Sequence, residues 1–133
     1  MNLKVGDSAE ISKTIGDEEV RAFAELTGDS NPVHLDEEYA ARTRFGRRIA
    51  HGMLGASLIS AVLASELPGR GTVYLSQTLR FTAPVFLGDT VTARVTVKHV
   101  REDKPVVTLE TVCTNGRGER VVEGEAVVLV SGQ

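Results

Sequence analysis

A continuous apolar segment at residues 52–67 constrains the fold of this chain more than any other feature. Apolar side chains fall on nearly every face of a helix drawn through it, which predicts a helix buried inside the domain. At about sixteen residues, with a serine near its centre, the segment is short for a membrane span. Pro68 and Gly69 end it. The rest of the chain must therefore provide a layer that covers this helix.

Alternating apolar and polar residues predict strands that form this layer. Residues 73–81, 89–100, 106–114 and 120–130 alternate between apolar and mostly polar side chains, and residues 8–15 alternate more loosely. Asn115-Gly116 is a hairpin-like turn signal, and Gly124 is a candidate bulge. A first helix is predicted from Asp17, as its cap, to Gly28. These elements predict an α+β domain, residues 1–133, in which an antiparallel sheet wraps around a central buried helix.

The composition restricts the binding partners of the protein and its expected location in the cell. The chain has 133 residues and a net charge of -3, which argues against nucleic acid as the main partner. The N-terminal residues contain no apolar run, so we expect neither a signal peptide nor a membrane segment. Cys113 is the only cysteine and cannot form an internal disulfide, which suits the cytoplasm. Long strands near the end of the chain predict an exposed sheet edge, for which pairing in a homodimer is one solution.

The segment at residues 28–34 places Asp29 and His34 on either side of a proline. Gly28 and Pro32 disfavour a helix interior, and proline pushes Asn31 toward an extended backbone, so a stiff loop is expected. Two interpretations remain open for this segment alone. It is either a turn with a structural histidine, or an acid–base pair held for proton transfer.

The start of the buried helix offers a second feature. The first N–H groups of a helix lack internal partners, so the N–H of Gly52 is a candidate oxyanion donor. Further along one face lie Ser60 and Leu63. Ser60 either bonds back to its own helix or contacts Asp29 or the substrate. Leu63 would line an apolar pocket beyond it.

The remaining polar features are less specific. Arg47 and Arg48 belong to a local basic cluster, which is either a solvated face or a binding site for the phosphates of a substrate. His34 and His51 lack the short spacing of a zinc site, so no metal is expected. The sequence contains neither a glycine-rich phosphate loop nor a Gly-x-Ser-x-Gly elbow.

Residues 23–40 resemble the signature of the R-specific enoyl-CoA hydratases, the MaoC-like dehydratases of the hot-dog fold. That signature runs Gly-Asp-x-Asn-Pro-aliphatic-His, then five residues and a small one. It is met at every position, by Gly28, Asp29, Asn31, Pro32, Val33, His34 and Ala40. The resemblance extends through His51-Gly52-Met53 over nearly the whole chain, and is nearest to the short bacterial hydratases of polyhydroxyalkanoate synthesis.

The resemblance implies a homodimeric enzyme with no metal or redox cofactor. Asp29 and His34 would activate a water that adds to a trans-2-enoyl-CoA, giving an R-3-hydroxyacyl-CoA. The Gly52 N–H would hold the thioester oxygen, and Asn31 and Ser60 would orient the substrate or support the pair. Two other functions stay open at this point: a hot-dog acyl-CoA thioesterase and a non-catalytic acyl-CoA-binding module.

Overall fold

Five antiparallel strands form one sheet within residues 2–130, the part of the chain that the computed structural model describes. The strands are β1 (Ser8–Thr14), β2 (Val73–Phe81), β3 (Thr90–Val100), β4 (Val106–Thr114) and β5 (Arg120–Leu129), in the spatial order β1-β3-β4-β5-β2. The helices are α1 (Asp17–Thr27), α2 (Pro32–Leu35), α3 (Glu37–Ala41) and α4 (Gly52–Ser65). The predicted hot-dog arrangement, a sheet around one long helix, is confirmed.

Helix α4 packs one side into the sheet. Ile59 and Val62 are fully buried and join Val95, Leu109 and Val128 of the sheet in one hydrophobic core. The opposite side of α4 is open, with Met53 54% exposed. In a single chain, α4 is therefore buried on one side only, whereas the sequence predicted burial on nearly every side. Within residues 2–130, no helix is long and apolar enough to cross a membrane.

Gly124 occupies a regular position in β5, so its predicted role as a bulge is wrong. It pairs with Leu79 of β2 and Thr111 of β4, whereas β2 shifts register between Tyr74 and Ser76. A Cβ at residue 124 would collide with the backbone carbonyl of Thr78. Glycine is needed there because the strands approach closely, not because the ladder is interrupted.

Strand β2 forms one edge of the sheet and exposes large apolar side chains. Val73 is 54% exposed, and Leu75 and Phe81 are each 53% exposed. An edge with unpaired backbone groups and apolar side chains is a surface that proteins normally cover. This edge lies next to the open side of α4, since Tyr74 and Leu79 share one groove with Met53.

Candidate active site

The turn between α1 and α2 is built from local hydrogen bonds. Gly28 ends α1 in the left-handed conformation (φ 81°), which favours glycine. Asn31 then caps α2, its Oδ1 accepting the N–H of Val33 at 3.2 Å, and Pro32 occupies the first helical position. His34 therefore lies on a single helical turn and not in the predicted loop. Asn31 holds this turn through that bond, and its role beside the pair or the substrate stays a prediction.

His34 has a defined proton arrangement. Its side chain is 9% exposed, and Nδ1 lies 2.8 Å from the carbonyl oxygen of Ile49. Because a carbonyl only accepts, Nδ1 carries the proton, and the neutral ring has its lone pair on Nε2. Burial lowers the pKa of His34 most, and the nearby His51 lowers it further, against raising effects of the Ile49 bond and Asp29. A neutral imidazole with a free Nε2 is a proton acceptor.

His51 is part of the same cluster, through a side chain that the sequence interpretation did not use. It is 2% exposed, and its ring centroid lies 3.9 Å from that of His34 and 4.8 Å from that of Phe23. Nε2 is 2.9 Å from the backbone carbonyl of Asp29, to which it donates. Its Nδ1 is buried without a hydrogen-bond partner among the described residues. His51 thus ties the Asp29 turn to the start of α4.

A signal for His51 was present in the sequence. It occupies the N-cap of α4, where Ser, Thr, Asp or Asn are preferred, and its side chain makes no capping bond. A residue unsuited to its local position is often held there by tertiary contacts.

The carboxylate of Asp29, the ring of His34 and the ring of His51 each offer a ligand atom, and these atoms lie within 4.8 Å of one another. The prediction that no metal site forms rested on sequence spacing, which says nothing of such a tertiary cluster. Zinc with bonds of about 2.0–2.1 Å holds tetrahedral ligands only about 3.4 Å apart. Groups that hydrogen-bond one water at about 2.8 Å lie about 4.6 Å apart. Both separations lie within the 4.8 Å limit. His51 already uses its Nε2 to donate to the Asp29 carbonyl, which leaves the Asp29 carboxylate and the His34 ring to hold one water.

Gly52 begins α4 next to this cluster, and its N–H is the first of the helix. A Cβ at residue 52 would lie 2.8 Å from two ring atoms of Phe81. A side chain at residue 52 would therefore have to displace the Phe81 ring. Gly52 and Phe81 also line a cavity of about 370 Å³ with Phe45, Pro84 and Val122 among its other walls.

Ser60 faces a second, mostly apolar groove of about 420 Å³ between α4 and β2. Ser57 and Ser65 bond back to carbonyls of their own helix, whereas no such bond is made by Ser60 among the described residues. Ser60 makes no described bond to Asp29 either, and it is exposed to the groove. Phe23 lines the same groove and contacts His51, so the groove opens beside the cluster. Leu63 is 2% exposed and packs in the core, away from the residues that line this groove.

The two arginines predicted to receive phosphates have different surroundings. Arg47 is exposed, and its guanidinium lies 4.0 Å from the centroid of the Phe86 ring. Arg48 is 7% exposed and bonds Asp17 and the carbonyl of His34, each at 2.7 Å. The prediction for Arg48 is therefore wrong, because its guanidinium is buried and is held by Asp17 and the His34 carbonyl. Asp17 itself is the first residue of α1 and not its cap, which is Gly16.

Comparisons with known proteins show which chains are similar to this one. The family described as "MaoC like domain" matches residues 4–117. An (R)-specific enoyl-CoA hydratase of Aeromonas caviae is 54% identical over 127 residues, covering 96% of this chain and 95% of that protein. One of Rhodospirillum rubrum is 51% identical over 129 residues, covering 97% and 89%.

The solved structure described as an (R)-hydratase from A. caviae involved in PHA biosynthesis has the same fold. It matches with a TM-score of 0.96 at 52% identity, over 98% of each chain. These similarities extend over the strands, the helix α4 and the turn that carries Asp29 and His34.

Proposed function

This chain belongs to the MaoC-like dehydratase family, and we propose that Asp29 and His34 are the pair with which it hydrates the double bond of an enoyl thioester. The activity is that of an (R)-specific enoyl-CoA hydratase, a hydro-lyase, which adds water to a trans-2-enoyl-CoA and gives an R-3-hydroxyacyl-CoA. The thioesterase alternative is not favoured by these relatives. Helix α4, with the sequence GMLGASLISAVLAS, also lacks the carboxylate that such an enzyme would carry there.

In the proposed mechanism, one water is held between the carboxylate of Asp29 and Nε2 of His34. As the water oxygen bonds to C3, His34 takes a proton from it. The pair then delivers a proton to C2, so that the elements of water are added and the pair returns to its starting state. Neither a metal nor a redox cofactor has a step in this sequence. The single observation that carries the proposal is the Nδ1–Ile49 bond, which leaves the lone pair of a buried, neutral His34 on Nε2.

Negative charge develops on the thioester oxygen while the water adds. We assign its stabilisation to the N–H of Gly52, at the positive end of α4. The acyl chain would follow the apolar groove that contains Met53 and Ser60, with Ser60 orienting the thioester. Arg47, exposed beside Phe86, remains the candidate for the phosphates of coenzyme A.

A homodimer is proposed as the working unit, in which a second copy covers the edge of β2 and the open side of α4. The exposed Val73, Leu75 and Phe81 support it, since they form an apolar edge beside the groove. Light scattering should give about twice the mass of 14.3 kDa. Replacing Leu75 with Glu should shift the protein toward monomer, because a charge would be buried in the contact; an unchanged dimer would place the interface elsewhere.

The function is tested by the chirality of the product. Crotonyl-CoA is hydrated, loss of the enoyl-thioester absorbance is followed, and the 3-hydroxyacyl product is resolved by chiral chromatography. We expect the R product only. An S product would contradict the assignment, and release of free thiol from a saturated acyl-CoA would favour the thioesterase. We also propose that residues 1–133 act as one domain in the cytoplasm, where a lone thiol such as that of Cys113 stays reduced.

The pH dependence of kcat/KM should report the state of His34. The ordinary histidine pKa is 6.5, and that of His34 is lowered chiefly by burial. Since the neutral ring is the active form, a lowered pKa extends activity to more acidic solution. We expect the acid limb of the profile to be centred below pH 6.5, with Asp29 and His51 as the titratable groups that face the ring. A limb centred above pH 6.5 would show that the ring is not held neutral by its surroundings.

A further inference from the structure

Arg48 is a buried cation attached to the backbone of the proposed catalytic histidine. Its side chain is 7% exposed, and its Nε donates to the carbonyl of His34 at 2.7 Å. Its Nη2 donates to Oδ1 of Asp17 at 2.7 Å, and Nη1 lies 3.6 Å from Glu37. The first turn of α1 and the start of α3 are thereby joined to the turn that carries His34.

The residue after Arg48 holds His34 from the other side. The carbonyl of Ile49 receives the Nδ1 proton of His34, and the N–H of Ile49 donates to the carbonyl of Val33 at 3.3 Å. Consecutive residues therefore fix the ring and the backbone of His34. The segment is anchored in turn, because the N–H of Ala50 donates to the carbonyl of Val85 at 2.8 Å.

Helix α2 has only four residues, Pro32–Leu35, and cannot fix a side chain by itself. The direction of the His34 ring depends on what is attached to this turn. A guanidinium presents several donors in a rigid planar fork, so it can hold Asp17 and the His34 carbonyl at the same time. The Asp17 carboxylate has its pKa lowered by the bond from Arg48 and next by that from Arg21, so it is charged at neutral pH.

We propose that Arg48 is a positioning residue that sets the orientation of His34 toward the reacting water by bridging the His34 carbonyl to Asp17. This inference rests on the proposed role of His34. Arg48 touches neither the water nor the thioester in this scheme, so its loss should change kcat and leave KM nearly the same. An error of about 1 Å in the position of a catalytic group lowers a rate by as much as about 100-fold.

Arg48→Lys is the principal test. The lysine keeps the charge but cannot hold both acceptors in the same plane. We expect kcat for crotonyl-CoA to fall about 10- to 100-fold, with KM within about twofold of the wild type. The ¹⁵N shifts of the His34 ring should change from a single Nδ1–H tautomer to a mixture. A merely destabilised protein would keep that tautomer in its folded fraction.

Asp17→Ala removes the other end of the bridge at an exposed position and serves if Arg48→Lys fails to fold. It should lower kcat in the same direction, and the double variant should be no worse than Arg48→Lys alone. Arg21→Met is the matched control, since Arg21 binds the same Asp17 carboxylate but makes no contact with His34. It should leave kcat unchanged.

Two results would overturn the inference: wild-type kcat in a folded Arg48→Lys or in Asp17→Ala, or an equal loss in Arg21→Met. Failure of the catalytic proposal itself is distinguishable, because it requires that His34 variants retain activity. Loss of activity on changing His34, with no effect of Arg48→Lys and Asp17→Ala, would reject only the role of Arg48.

Discussion

Replacing His34 with Asn should lower kcat for hydration of crotonyl-CoA by about 100- to 10,000-fold, the usual contribution of a positioned acid–base group. An asparagine amide can still donate to the Ile49 carbonyl from near the position of Nδ1. It has no atom at the position of Nε2, so the base is lost while the turn is retained. Initial rates from the decrease of enoyl-thioester absorbance, with the melting temperature measured alongside, give the comparison.

Asp29→Asn should cause a loss of the same order. The substitution keeps the shape of the side chain and the backbone carbonyl that accepts from His51, but removes the charge beside the proposed water. His99→Ala is the matched control, because His99 is an exposed histidine on β3. It should retain full activity. Substantial turnover by both the His34 and Asp29 variants would reject the pair as the catalytic centre.

A second large effect is expected at Gly52. Two substitutions there distinguish the loss of the N–H donor from the steric effect of an added side chain. Both Gly52→Ala and Gly52→Pro add a Cβ, which would lie 2.8 Å from the Phe81 ring and must displace it. Only the proline removes the N–H. Gly52 is the first residue of α4, where proline is well tolerated, and the ψ of 134° at His51 lies in the extended range that a residue preceding proline adopts.

The difference between these variants measures the proposed oxyanion donor. Gly52→Pro should have a kcat lower than that of Gly52→Ala by about 100- to 1,000-fold, the usual effect of removing one such donor. Phe81 is 53% exposed and can move, so both variants should fold. Combining each with Phe81→Ala relieves the contact and should leave the ratio of the two rates unchanged. Equal rates for the alanine and proline variants would show that the thioester oxygen is bound elsewhere.

The sequence was sufficient for the end of α1, which depends on local backbone geometry, although it misplaced the cap at the start of that helix by one residue. Gly28 ends α1 as predicted, because a left-handed helix end depends on its own backbone conformation. The apolar segment after Gly52 likewise predicted the long helix and, with the alternating strands, the fold. The fixed spacing between Asp29 and His34 made the family recognisable.

The role of a residue was not predicted from the sequence where that role depends on contacts between residues far apart in the chain. Arg48 looked like one member of a basic cluster, and only the fold brings Asp17 and the His34 carbonyl to it. The side chain of His51 needed the same information, since its contacts are with Asp29, His34 and Phe23. Gly124 was misread because the carbonyl that excludes a side chain there belongs to another strand.

The short segment that leads into α4, residues 49–52, limits the distance between two groups of the proposed mechanism. The carbonyl that fixes the proposed base belongs to Ile49, and the proposed oxyanion donor is the N–H of Gly52, three residues later. Their separation is limited by covalent geometry to about 10 Å and does not depend on how two independent elements pack. The groove proposed for the acyl chain is built from other residues, on α1, α4 and β2. Substitutions in that groove can therefore change the accepted chain length while the reacting groups keep their spacing.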